Sequence, residues 1–343
     1  MTTMWIDDRC GASLEQAGLA TFDQVMATTA GRCLRVLADR ENWYLESSRH
    51  TLCAVRLEAD GKADGTRSVP ATIGMYLKKH RARTWWTRMA AALGLVPPAS
   101  PGRVEAENAI ALRSLGIEVM PLTAFGEKLH ADGRLESFLL SEELQGYCEL
   151  QDLIARRFAD VKRGAWGVGR GSPHASRLTP HASLRRLIVQ VADIARRFHA
   201  AGFNHRDFYC CHFLAKETSP DCFDVRLIDL QRVQRRRWFR RRWIVKDLAQ
   251  LASMSPDEQV GCREKILFLR TYLGVKKLRW QDKRLVRAVL AKLSAIRRRM
   301  KKRGQSPFVR STLRAVPANG DCPRFFMGRK GPGTPLPATR HKS

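Results

Sequence analysis

Residues 204–214 read Asn204-His205-Arg206-Asp207-Phe208-Tyr209-Cys210-Cys211-His212-Phe213-Leu214, and this stretch decides the reading of the chain. A His-Arg-Asp tripeptide is followed by an aromatic pair of residues, a histidine and the start of an apolar segment. Twenty-two residues after Asp207 comes Asp229, in Val225-Arg226-Leu227-Ile228-Asp229-Leu230. The segments between the two carboxylates are hydrophobic at both ends, Phe213-Leu214 and then Val225 to Leu230. That pattern predicts two strands flanking a turn, an arrangement that brings Asp207 and Asp229 to one mouth.

Two carboxylates so placed suit phosphoryl transfer. One must lie near the acceptor hydroxyl, and the other must hold the metal that neutralises the phosphates. Asp207 suits the first role and Asp229 the second. His205-Arg206-Asp207 opens like a protein-kinase catalytic loop, and Asp229 stands where a kinase places its Asp-Phe-Gly metal ligand. A protein kinase has Asn five residues after the Asp, whereas this chain has His212. A surface tripeptide without chemistry is the bland alternative, and the strand-borne Asp229 at kinase spacing weighs against it.

The whole stretch resembles the catalytic loop of the lipopolysaccharide kinases, whose typical form is N-H-R-D-x-Y-x-x-H-F-L. Ile228-Asp229-Leu230-Gln231-Arg232 is similar to that family's I-D-L-x-R metal strand, and Trp243 to Ser253 resembles its following helix. The resemblance spans roughly residues 30–260 and is tightest in the catalytic half. It implies an α+β, bilobal protein-kinase-like fold with a small β-rich N-lobe and a larger helical C-lobe. It also implies an ATP- and Mg2+-dependent transfer of phosphate to an inner-core sugar, heptose or Kdo. Asp207 is then the catalytic carboxylate, Asp229 and His212 the metal residues, and His205 and Arg206 support for the loop. A catalytically silent kinase-like protein binding an anionic membrane or nucleic acid is the alternative reading, as is a kinase acting on protein.

The order of elements upstream fits the same expectation. Residues 1–30 read as a polar-to-amphipathic lead, and residues 31–144 as the N-lobe. Cys33–Leu37 and Leu52–Leu57 alternate as half-exposed strands, with a Gly/Asp-rich turn after them. Ile73–Lys78 is a further strand, and its terminal Lys78 stands where a kinase lysine meets the α- and β-phosphates. Lys79 competes for that role, although alternation sends it to the other face. A helix over Val104–Leu115 offers Glu105 and Glu107 as the partner of that lysine. The resemblance selects Glu105, which lies eleven residues before Gly116. Strands over Ile117–Phe125 and Ser137–Leu140 run into Glu142-Glu143-Leu144, which resembles the hinge whose backbone meets adenine. No G-x-G-x-x-G lies between the first two strands, and Arg49 and Arg56 are the cations there that could substitute.

The C-lobe is expected over 145–303. Leu184, Leu187, Ile188, Val191, Ile194, Ala195 and Phe198 sit at helical spacing, and Ala201-Gly202 ends that helix just before the catalytic loop. Residues 161–180 read as a Gly-, Arg- and Pro-rich loop, and residues 304–343 as a disordered basic tail. Asp247 opens the next apolar helix, either holding the catalytic-loop backbone or capping the helix.

Charge points to the partner. The chain carries 61 Lys and Arg against 33 Asp and Glu, a net charge of +28. Such an imbalance calls for a polyanion: a phosphorylated glycolipid, an anionic membrane or nucleic acid. Arg235-Arg236-Arg237-Trp238-Phe239-Arg240 follows Asp229, where an acceptor would bind, and basic-aromatic strips suit glycolipid and inner leaflet as well as single strands. Residues 80–103 form an insert whose Trp85 and Trp86 lie among basic residues, as in an interfacial helix, or else pack into the core. Lipopolysaccharide core or its lipid A–core precursor is the partner these features favour, with nucleic acid the rival. Nine cysteines with no C-x-x-C fit reduced thiols. No signal peptide and no spanning segment is evident, so the expected location is cytoplasmic and peripheral to the inner membrane.

Overall fold

The structure, a computed structural model, describes residues 2–37, 39–48, 72–96, 98–161, 180–238 and 240–302. The expected strand over Leu52–Leu57, Arg49 and Arg56, most of the 161–180 loop and the 304–343 tail lie outside them.

The N-lobe is built on a six-stranded antiparallel sheet. Its strands are β1 (Thr2–Ile6), β2 (Arg32–Leu37), β3 (Arg40–Ser48), β4 (Thr72–Ala82), β5 (Leu122–Leu129) and β6 (Leu135–Glu142). Their spatial order is β1-β5-β6-β4-β3-β2. Residues 2–27 are more than a lead. β1 pairs along the β5 edge, and two short helices, Gly11–Gln16 and Phe22–Ala27, bury Leu14, Phe22, Val25 and Met26 under the sheet with Leu77 and Phe138. Burial of these side chains is worth roughly 1.5–3 kcal/mol each, enough to bind the segment to the lobe. Sequence reading missed this because the helices are only six residues long, too short to show a periodic stripe.

The Arg40–Ser48 strand was also not read, since its first residues are polar. It nevertheless pairs antiparallel with β2 and with β4, the latter along its whole length. Between β4 and β5 come two helices, Trp85–Leu93 and Pro101–Ser114, both with side-chain N-caps, from Thr84 and Ser100. Ile110 belongs by sequence to the broad apolar side of the second helix, with Ala106, Ala109 and Leu115, yet it is 47% exposed. The expected Ile117–Phe125 strand begins later, at Leu122, and Val119 makes only a single bridge, to Leu227.

The C-lobe is helical. The Pro180–Ala200 helix is its central rod, and every residue of the stripe named above is buried. Gly202, at φ 90°, turns the chain into β8 (Phe203–Asn204) and the catalytic loop. After a short β7 (Cys148–Glu149), the hairpin of β9 (Phe213–Ser219) and β10 (Cys222–Leu227) pairs Phe213 with Leu227. The ends of the predicted strand-turn-strand unit therefore meet. β11 (Gln234–Arg235) pairs back onto β8, and helices Arg240–Met254, Cys262–Leu273 and Trp280–Lys302 complete the lobe. Leu214 and Ile228 of this lobe pack with Ala106, Met120, Leu122 and Leu139 of the other, so one apolar cluster seals the junction directly behind the carboxylates. Among the described residues no helix is long and apolar enough to cross a membrane, and every described cysteine is a free thiol.

Candidate active site

β4 sends neighbouring lysines to opposite faces, and their partners separate their roles. Lys78 Nζ donates to Glu105 Oε1 at 2.7 Å and lies 3.5 Å from Asp229 Oδ1. Lys79 Nζ turns to the other face, where it donates to the carbonyls of Met26 and Thr28. Glu105 is fully buried, whereas Glu107 is half-exposed and pairs with Arg103 one helical turn away. The geometry thus distinguishes Lys78 from Lys79 and Glu105 from Glu107. Burial by itself lowers the affinity of Lys78 for its proton, but the Glu105 and Asp229 carboxylates outweigh it and hold its pKa above the ordinary lysine value. Burial raises Asp229, and the neighbouring Lys78, His212, His205 and Arg40 more than reverse that, leaving the carboxyl below its usual range. The pair at the site is therefore an ammonium facing a carboxylate.

Asn108, which sequence reading passed over, fixes the helix that carries Glu105. Its amide donates to the carbonyls of Leu230 at 3.0 Å and Val233 at 3.1 Å, just beyond Asp229. The Glu105 helix and the Asp229 segment are in this way locked to each other.

The catalytic loop is held from below by Asp247, which is fully buried. Its Oδ2 accepts from the His205 amide at 2.8 Å and its Oδ1 from the Arg206 amide at 3.1 Å. The helix that carries it starts at Arg240, a full two turns earlier than expected, so Asp247 is no N-cap. His205 donates from Nε2 to the Ile228 carbonyl at 3.1 Å, tying the loop to the turn that carries Asp229, which lies two residues past the end of β10 and not on the strand as the sequence suggests. Burial, reinforced by His212, pushes its pKa down to about 4. Arg206 and Asp229 both take left-handed backbone, at φ 69° and 58°, a conformation non-glycine residues rarely adopt and one that clusters at functional sites.

Asp207 is three-quarters buried and pairs with the half-exposed Arg232 at 2.5 Å. His212 Nδ1 donates to the Asp207 carbonyl at 2.5 Å, which turns its Nε2 toward Asp229 Oδ2, 3.8 Å away. Among the described residues no group of three His, Cys, Asp or Glu could hold a metal alone. Magnesium takes oxygen ligands, so of this pair the Asp229 carboxylate would hold it directly, and His212 would act through water or support the loop.

At the hinge, the Glu142 and Glu143 amides already donate within the protein, to Pro121 and Gly74, and Glu143 Oε2 accepts from Tyr44 Oη at 3.0 Å. Gly74 permits that approach, because a side chain there would collide with the Glu143 carboxylate and the Tyr44 hydroxyl. Leu144 packs at the lobe junction. In the basic strip, Arg235, Arg237 and Trp238 are exposed, whereas Arg240 reaches back to the carbonyls of His199 and Ala200 at the end of the central helix. Four cations, Arg206, Arg236, Arg242 and Lys246, surround the Trp243 ring at 4.7–5.7 Å.

Residues 172–272, which contain the catalytic loop, Asp229 and Asp247, match the profile of the lipopolysaccharide kinase (Kdo/WaaP) family. The lipopolysaccharide core heptose(I) kinase WaaP of Pseudomonas aeruginosa is 33% identical over 221 residues, covering 64% of this chain and 72% of the relative. The protein of the same name from Escherichia coli K12 is 30% identical, over 67% of this chain and 82% of the relative. The chain belongs to the lipopolysaccharide kinase family. The same fold is found in a solved structure, WaaP in complex with acyl carrier protein, at a TM-score of 0.56 and 24% identity, covering 88% of this chain and 98% of that one.

The distinction between the two glutamates is open to direct measurement. Glu105→Gln is expected to lower kcat/KM of phosphate transfer on the order of 10²-fold, as for a catalytic group displaced by about an ångström. Glu107→Gln, on the solvated side of the same helix, is expected to change it by less than about twofold. Equal losses in the two variants would contradict the assignment.

Proposed function

We propose that the protein transfers the γ-phosphoryl group of ATP to a hydroxyl of an inner-core sugar of lipopolysaccharide, at the cytoplasmic surface of the inner membrane. Of heptose and Kdo, heptose is the acceptor we favour, because the curated relatives are named for heptose(I). The observation that carries the reading is the contact of Lys78 with both Glu105 and Asp229, at 2.7 and 3.5 Å. This is the assembled arrangement of a working phosphotransferase, and a chain that only binds anions has no need of it.

In this reading Lys78 orients the α- and β-phosphates and Glu105 holds Lys78 in place. Magnesium, when bound at Asp229, supplies positive charge to the phosphate oxygens. Asp207 orients the acceptor hydroxyl and takes its proton as the new O–P bond forms and ADP leaves. Arg232 fixes the direction of the Asp207 carboxylate. At the hinge, adenine is received by the Leu144 amide, since those of Glu142 and Glu143 donate within the protein.

Acceptor access follows from the chain after Asp229. Only residues 230–239 separate it from the next helix, and two of them are pinned onto β8. So short a segment leaves the mouth in front of Asp207 open to a bulky glycolipid, and Arg235, Arg236, Arg237 and Trp238 edge it. The cations gathered on Trp243 have no carboxylate within salt-bridge distance among the described residues, which suits an anionic acceptor.

Membrane contact rests on the Trp85–Leu93 helix. Trp85 and Trp86 are 61% and 67% exposed, and Met89, Leu93, Leu95 and Val96 are exposed with them. Arg83 and Arg88 lie on the same segment, also exposed. An apolar face of this kind, flanked by cations and left uncovered by the protein, suits the headgroup boundary of an anionic leaflet.

Asp207→Ala is expected to reduce transfer from ATP to core oligosaccharide by about 10²–10⁴-fold. Its melting temperature should be nearly unchanged, because the partly exposed Arg232 pair adds at most about 1 kcal/mol. Normal turnover by the variant would sink the assignment. Flotation with phosphatidylglycerol vesicles tests the membrane contact: the double variant Trp85→Ala, Trp86→Ala should float several-fold less than the parent, about as expected for losing two interfacial indoles. Undiminished flotation would remove this helix from the proposal.

A further inference from the structure

A kinase-like N-lobe ordinarily covers the nucleotide phosphates with a glycine-rich turn between its first two sheet strands, and this chain has no such sequence. The sheet order β2-β3-β4-β6-β5 shows where the equivalent turn lies. It is the connection between β2 and β3, and the first residue of β3 is Arg40.

The register fixes which way this face looks. Asn42 is paired with Lys78, and Arg40 with His80. Residues directly opposed in an antiparallel pair share a face, as do residues two apart on one strand. Arg40 and Asn42 therefore lie on the side of the sheet from which Lys78 reaches Glu105 and Asp229. Contacts agree with the register. Arg40 Nη1 donates to Gln231 Oε1 at 3.2 Å, across the cleft and two residues beyond Asp229. Among the described residues Arg40 has no carboxylate within salt-bridge distance, and its buried Nε has no hydrogen-bond acceptor. The side chains of Asn42 and His80 beside it also carry buried polar atoms without partners. His80 adds no positive charge, since burial, with Lys78 and Arg40 next to it, pushes its pKa down to about 3.

A guanidinium that is partly buried, has no anion in direct contact and leaves one N–H unpaired is costly to hold at this position. Its planar donor fork is the group suited to phosphate oxygens. We propose that Arg40 is a nucleotide-phosphate clamp, taking over with a side chain the contact that glycine-loop amides make elsewhere, and that Gln231 positions it from the opposite lobe. The inference rests on the kinase reading above and assigns the cover of its phosphate site. The anion it recognises is the β- and γ-phosphate portion of ATP, over the same face of the sheet as Lys78.

Calorimetric titration of the full chain with Mg-ATP and, separately, with adenosine tests the proposal. Arg40→Ala should weaken Mg-ATP binding roughly 10- to 100-fold, the worth of a charge-assisted hydrogen-bonding pair, and leave adenosine binding unchanged. Arg40→Lys should recover part of the loss, since it restores the charge without the fork. Should Arg40→Ala fail to fold, Arg40→Gln, which keeps the length of the chain and a donor for Gln231, carries the same comparison. Mg-ATP binding equal to the parent, or equal losses for ATP and adenosine, would overturn the clamp while leaving the kinase reading intact. A parent protein that binds no Mg-ATP would instead remove the kinase reading itself.

Discussion

The buried contact of Lys78 with Glu105 and Asp229 is the constraint on which the rest of the structure depends. Glu105 is 0% exposed and Lys78 8%, so both charges have given up nearly all their water. Desolvation on this scale makes buried ion pairs poor stabilisers, and apolar replacements of similar volume are often neutral or stabilising by about 1–4 kcal/mol. Removing one partner is another matter, because the charge left behind is uncompensated at a cost of about 3–5 kcal/mol. The pair therefore contributes little to the fold but dictates its details. It requires the Pro101–Ser114 helix to sit against the sheet, β4 to present a lysine on its inward face, and Asp229 to come up from the other lobe.

The surrounding structure supplies those positions through local devices. Asn108 bonds the Glu105 helix to the turn after Asp229. The β9–β10 hairpin returns the chain from His212 to Ile228 and so sets the two carboxylates side by side. Asp247 takes two backbone amides of the catalytic loop, and the Leu214–Ile228 cluster keeps water out from behind. Backbone strain at Arg206 and Asp229 is held by these bonds, which is the usual condition for its survival. A similar economy governs the chain after Asp229, where ten residues (230–239) replace what would otherwise be a long covering segment.

Much of this was legible in the sequence. The catalytic loop, Asp229 and Lys78 could be read from motif spacing together with their likeness to kinases, and the central helix and the alternation that sets Lys79 apart from Lys78 from periodicity. Glu105 could be preferred over Glu107 only through family spacing, since both lie on one helix and propensity does not reveal burial. Elements that depend on tertiary partners were not legible. β1 is an edge strand that exists because β5 offers it hydrogen bonds, and the Arg40–Ser48 strand begins with polar residues because its inward face borders a polar cleft. Arg40 is hidden in the sequence for that reason: its signal is not a glycine pattern but Arg40 and Asn42 at a spacing of two on a strand beside Lys78. The helix start at Arg240 was masked by charge, because arginines that point outward or cap a neighbouring helix hide the helical period.

Together, the buried lysine network, the open mouth and the cationic surround describe a kinase for a large anionic acceptor. The most direct test is mass spectrometry of the core oligosaccharide from a strain lacking the gene, compared with its parent and with strains carrying the wild-type gene or Asp207→Ala. The account predicts loss of one phosphate from a heptose in the deletion strain, restored by the wild-type gene and not by the variant. Unchanged phosphate on the core sugars of the deletion strain would contradict it.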